Sequence, residues 1–156
     1  LVGKSSGNAR RVFPRAVTPN HVTLVQMSFA KVAPIAGVAA DLFYDRLFET
    51  APDVRRMFPS DLAEQKKKLM AMLGTAAAGL SKPDALLPVV RALGQQHAGY
   101  GVKAEHFAPV GAALIWTLER GLGEAFTSEV KAAWIEVYGA LSRTMIDGLE
   151  PLPKAA

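Results

Sequence analysis

Cysteine is absent from the 156 residues. That excludes a disulfide framework, thiolate-ligated zinc or iron–sulfur centres and a cysteine nucleophile, and it leaves the redox compartment open. Charge is sparse: charged residues make up 21% of the chain and the formal net charge is only +4. The 18 Lys and Arg residues are dispersed, so no nucleic-acid partner is expected. The longest basic run, Lys66-Lys67-Lys68, leads directly into "LMAMLGTAAAGL" and reads as the solvated side of an apolar helix. No window reads as the roughly 18 to 20 uncharged apolar residues of a membrane span, so no membrane partner is expected either. The first seventeen residues carry Arg and Lys without acids and hold no continuous apolar stretch. They do not read as a secretory signal, and the expected location is the cytoplasm.

What is present is a 50% hydrophobic composition, sufficient for one globular domain with its own core. Every periodic segment reads as helix. "TPNHVTLVQMSFAKV" opens with Thr18 as a cap and Pro19 in the first helical position. Pro34 interrupts, and "IAGVAADLFYDRLFET" follows with Val38, Leu42, Leu47 and Phe48 expected to face inward. "APDVRRMF" predicts a short helical turn. The next helix is expected to be capped by Ser60 or Asp61, with Leu62, Leu69, Leu73, Ala76 and Leu80 on its apolar face. "SKPDALLPVVRALGQQH" and "KAEHFAPVGAALIWTLERGL" come next. The final segment places Val130, Trp134, Val137, Tyr138, Leu141 and Met145 at spacings of three and four. With no credible strand, the expected fold class is all-α, about seven or eight helices. The expected organisation is a flexible extension over 1–17, one domain over 18–150 and a tail over 151–156.

One histidine stands apart. Gly94, Leu93, Val90 and Leu86 lie three, four, seven and eleven residues before His97, on the same helical face. His97 could be a core histidine satisfied by backbone carbonyls or a ligand. His21 and His106 lie near helix starts and are expected to be exposed. One inward histidine without cysteine is too few ligands for a protein-only zinc site, and no serine or acid near it in sequence suggests acid–base chemistry. A haem needs a single axial imidazole, an aromatic platform and apolar walls, and candidates for each are present.

"LFYDRLFETAPDVRRMFP", "KKKLMAMLG", "LGQQHAGYGV" and "KAAWIEVYG" occur in order and at family spacing. Through them, roughly residues 19 to 147 resemble the globins, specifically bacterial single-domain haemoglobins of the Vitreoscilla kind and the globin part of flavohaemoglobins. The resemblance implies a globin fold around haem b. It matches His97 to the proximal iron ligand, Phe58 to the phenylalanine packed flat on the porphyrin and Tyr44 to the distal tyrosine. It also matches Gln65 to the distal glutamine and Leu69 to the apolar residue over the iron. Lys68 is placed to meet a propionate and Val102 to touch the haem edge. The primary amide of Gln65 lies on an apolar face, where it needs a partner; a bound diatomic ligand is the expected one.

The implied function is reversible binding of O2, and of NO or CO, at a pentacoordinate iron, for oxygen transport or storage. The alternative is a nitric oxide dioxygenase, an enzyme using Tyr44 and Gln65 and fed by a separate reductase; a gas sensor ranks below both. A monomer or homodimer is expected. Two positions depart from the flavohaemoglobin pattern. Phe107 stands where those proteins carry a tyrosine, and Leu149 stands near their glutamate, with Glu150 reached only by a looser alignment. The proximal side is therefore expected to be more apolar, favouring ligand binding over peroxidase-like activation of oxygen.

Overall fold

The computed structural model describes residues 17–149. The expected 1–17 extension lies outside them except for its last residue, and so does the expected 151–156 tail; Glu150 is outside as well. Among the described residues there are six α-helices rather than the expected seven or eight: α1 (Pro19–Val32), α2 (Ala36–Thr50), α3 (Ala63–Gly79), α4 (Pro83–Gly99), α5 (Phe107–Leu122) and α6 (Ser128–Leu149). Four short 3₁₀ segments make up the difference, at Ala33–Ile35, Pro52–Met57, Ala104–His106 and Gly123–Ala125. The "APDVRRMF" turn is one of them. It is too short to develop the i→i+4 ladder of an α-helix and closes on i→i+3 bonds instead.

Helix starts follow local chemistry. Thr18 Oγ1 accepts from the His21 backbone N–H, while His21 Nδ1 accepts from the Thr18 N–H, a reciprocal cap in which histidine takes the place usually held by glutamate. His21 is thus half-buried rather than exposed. His106 is likewise half-buried, and its Nδ1 accepts from the Lys103 N–H at 2.8 Å. Asp61 Oδ1 accepts from the Ala63 N–H in a local turn, but the N-cap of α3 is Leu62, which has no side-chain cap, so the cap expected from Ser60 or Asp61 is not formed.

Pro34 does not stop the chain from remaining helical. It occupies an early position of the 3₁₀ segment, where its missing N–H is tolerated, and α2 follows without a break. Two features bear on the sequence expectations. The continuous stretch Pro19–Thr50 contains an 18-residue window with the length and mean hydropathy, 1.5, of a membrane span, because two apolar segments add together. Within α2, Val38 lies nine residues before Leu47, half a turn round the helix, so the two cannot share the inward face. Ala39, Ala40, Phe43, Tyr44 and Leu47 face the core, whereas Val38 turns outward and is 58% exposed.

The core lies where α1, α2, α5 and α6 meet. Val25, Val32, Phe43, Leu47, Leu114, Leu118, Trp134 and Val137 are its buried centre. The buried Trp134 Nε1–H donates to the buried Ser28 Oγ at 2.8 Å and ties α6 to α1. α4 lies along α6, but it touches α3 only sparingly.

Candidate functional site

α3 and α4 form a hairpin joined by a short turn. Its closed end is at that turn, where Leu86 packs directly against Gly79. Gln65 lies in the first turn of α3 and His97 in the last turn of α4, so both sit at the opposite end. At 1.5 Å per residue, Gln65 is about 21 Å along its arm from Gly79, and His97 is about 16 Å along its own from Leu86. Contact between the arms is sparse, and α4 packs instead along α6, burying Leu86, Val90 and Gly94. On α3 only Ala77 is fully buried, while Leu62 just before it and Leu69, Met70 and Leu73 on it are half-buried. A helix whose apolar face is half open to its neighbour is the usual mark of an apolar ligand site.

The α3 arm carries one group of the predicted residues. Tyr44 on α2 is 2% exposed, and its ring sits within an aromatic cluster. Its centroid lies 5.0 Å from Phe43, 5.7 Å from Phe48 and 5.6 Å from Phe58, and Phe48 and Phe58 meet edge to face at 5.5 Å. Gln65 Nε2 donates to Tyr44 Oη at 3.3 Å. The expectation that the Gln65 amide awaits a bound ligand is therefore corrected: it already has a protein partner, supplied from α2 across 21 residues of sequence. Burial pushes the Tyr44 phenol above its ordinary value and the Gln65 hydrogen bond partly offsets this, so the hydroxyl stays neutral at physiological pH. Because the tyrosine oxygen accepts from Gln65, the hydroxyl proton remains free to be donated elsewhere. Phe43 and Leu69 line one apolar cavity with Phe29, Leu73, Leu118 and Trp134.

The α4 arm carries the other group. His97 is half-buried, and its Nδ1 lies 2.6 Å from the Leu93 carbonyl oxygen. A carbonyl can only accept, so Nδ1 is the donor, and the Nδ1–H tautomer of the neutral ring is the one that leaves a lone pair on Nε2. The break that follows the helix rests on Gly101, which adopts φ +84°, a left-handed conformation open to glycine. That turn lets the Val102 N–H bond back to the His97 carbonyl at 3.1 Å, and half-buried Val102 is thereby held beside the histidine.

Phe107, the first residue of α5, is half-buried, and its carbonyl accepts from Tyr138 Oη at 2.7 Å. Lys68 is exposed, whereas its neighbour Lys66 pairs with Asp41 at 2.7 Å. Among the described residues, no three His, Asp or Glu side chains gather where a metal ion could be held.

Two contributors have no signature in the sequence. The Arg55 guanidinium donates to the carbonyls of Phe58, Pro59 and Ser60 and lies 5.0 Å over the Phe48 ring, which fixes the segment carrying Phe58. Tyr138 joins α6 to the start of α5, but its spacing marks it only as core. Both contacts depend on where helices cross.

The Globin family model matches residues 41–145. A flavohemoprotein of Bordetella parapertussis is 35% identical over 117 residues, covering 73% of this chain and 29% of that protein. The Bacillus subtilis flavohemoprotein is 32% identical over 111 residues, covering 69% and 28%. The chain thus spans under a third of the length of these relatives. Among solved structures, it is similar to an engineered carbene transferase from Rhodothermus marinus, provisionally named a nitric oxide dioxygenase. The TM-score is 0.76 at 26% identity, covering 84% of this chain and 92% of that one. A bacterial globin from Campylobacter jejuni shares the fold with a TM-score of 0.70 at 24% identity, covering 84% and 95%. The matched span contains Tyr44, Phe58, Gln65, His97 and Phe107, and the chain belongs to the globin family.

Proposed function

We propose that this globin holds haem b between the arms of the α3–α4 hairpin and reversibly binds O2, NO or CO, acting as an oxygen-binding protein in the cytoplasm. The observation that carries the reading is the contact of His97 Nδ1 with the Leu93 carbonyl, which occupies that nitrogen and leaves Nε2 as the one able to act as a ligand. The residues fit the group. The half-open apolar face of α3 suits the flat porphyrin, and Phe58, Leu69, Val102 and Phe107 supply apolar contacts. Exposed Lys68 suits a propionate. A haem bound there would supply an iron able to take up a diatomic ligand.

The chain's own residues do the rest. His97 Nε2 would hold the iron, and the Leu93 carbonyl keeps the ring from rotating. Gln65 orients Tyr44 by donating to its oxygen, so the tyrosine proton points away from the amide. Burial keeps that proton on Tyr44, making it a hydrogen-bond donor in a water-poor pocket. The aromatic cluster holds the ring in place.

The test is an absorption spectrum of the purified protein. A Soret band is expected, lost in His97→Ala and restored by added imidazole; absence of haem from both proteins refutes the reading. Similarity to flavohemoproteins and to the Rhodothermus protein supports a second reading, nitric oxide dioxygenase activity sustained by a separate reductase. Catalytic nitrate formation from NO in the presence of a reductase would favour it over simple binding.

A further inference from the structure

We propose that the crossing of α4 over α6 at Gly94 and Gly148 positions the His97 imidazole, an inference that rests on reading His97 as the haem ligand. Both glycines are buried. A Cβ built on Gly94 would overlap the Met145 carbonyl oxygen. One built on Gly148 would overlap the Arg91 carbonyl oxygen and come within 3.3 Å of Gly94 Cα. These neighbours are helix backbone and cannot swing aside as a flexible side chain would. Helices normally stand about 8–10 Å apart because side chains intervene; here two facing glycines remove the spacer.

The crossing matters because of which peptide it fixes. The carbonyl that accepts from His97 Nδ1 belongs to the peptide joining Leu93 to Gly94. That group is planar, so holding Gly94 against α6 also holds the direction of the Leu93 oxygen. A continuous line of rigid contacts runs from the α6 backbone through Gly94 and the Leu93 carbonyl to the imidazole. Gly94 and Gly148 are positioning residues in this scheme and touch no ligand.

The experiment uses the haem-loaded protein and its Gly94→Ala and Gly148→Ala variants. Gly139→Ala is the control, because a Cβ there meets only Arg143 Nη1 at an ordinary 3.7 Å. The measurements are haem loss to an excess of a haem-scavenging apoglobin and the iron–imidazole stretching frequency of the ferrous protein. Each is repeated in a His97→Gly background with free imidazole. Gly94→Ala and Gly148→Ala are expected to lose haem about tenfold faster and to shift the stretch, while Gly139→Ala changes neither. With free imidazole as the ligand, which no longer depends on α4, the shift should vanish. An unchanged stretch, or an equal shift with free imidazole, overturns the proposal. So does loss of helical structure in the apo forms of both glycine variants, which would make the crossing a folding element instead. If His97→Gly keeps its haem spectrum without imidazole, the reading of His97 itself fails, separately from the crossing.

Discussion

Replacing Tyr44 by Phe removes one oxygen from the aromatic cluster and leaves its shape unchanged, so the packing with Phe43, Phe48 and Phe58 should survive. Two hydrogen bonds are at stake, and they differ in size. The bond received from Gln65 is long, at 3.3 Å, and joins a half-buried amide to a neutral oxygen. Its loss should lower stability by about 0.5–1 kcal/mol. The bond that Tyr44 would donate to a polarised ligand is charge-assisted, worth about 1.5–3 kcal/mol, or roughly ten- to a hundredfold in affinity. Most of that should appear in release. The assay is stopped-flow mixing of the oxygenated ferrous protein with excess CO, alongside thermal denaturation. Tyr44→Phe should release oxygen at least tenfold faster with little change in melting temperature. Gln65→Leu should give a smaller acceleration, and the double variant should resemble Tyr44→Phe, because Gln65 acts through Tyr44. A release rate within about twofold of the parent, in a normally folded Tyr44→Phe protein, refutes the donor role.

Two further predictions concern the scaffold. Ser28→Ala should destabilise the protein by about 1–3 kcal/mol, because it strands the buried Trp134 N–H, and thermal denaturation should show it. Burial raises both Tyr44 and Tyr138 above the ordinary 10.0, so the fold favours their protonated forms. The stability they contribute is fully present below pH 10 and is lost as pH rises through the raised values. An ultraviolet titration should therefore show fewer than three of the three tyrosines ionising before the helices unfold; reversible ionisation of all three near pH 10 with helicity intact would refute the claim.

The helical class and the start of α1 are legible in the sequence because they depend on local chemistry: Thr18 and Pro19 open α1, and the Val130 to Met145 pattern marks α6. Val38 is misplaced by the expectation rather than by the fold: it lies nine residues before buried Leu47, half a turn round the helix, so the two cannot both face inward. At the site, the inward face of His97 can be read from spacing. The Tyr44–Gln65 bond cannot, since it joins two helices whose relative placement is decided by the whole core. Arg55 escapes for a similar reason: its three carbonyl partners converge only after the chain has turned.

The half-open face of α3 connects stability to function. Leu69, Met70 and Leu73 would gain about 25 cal/mol for each Å² of apolar surface they bury, yet the sparse α3–α4 contact leaves part of that surface uncovered. Closing the hairpin would recover this burial but would leave no room for a haem between the arms. The anchored crossing of α4 on α6 opposes such collapse by holding α4 to the other side of the molecule. A haem held between the arms would add its binding energy to the folded state alone, so haem loading should raise the protein's stability.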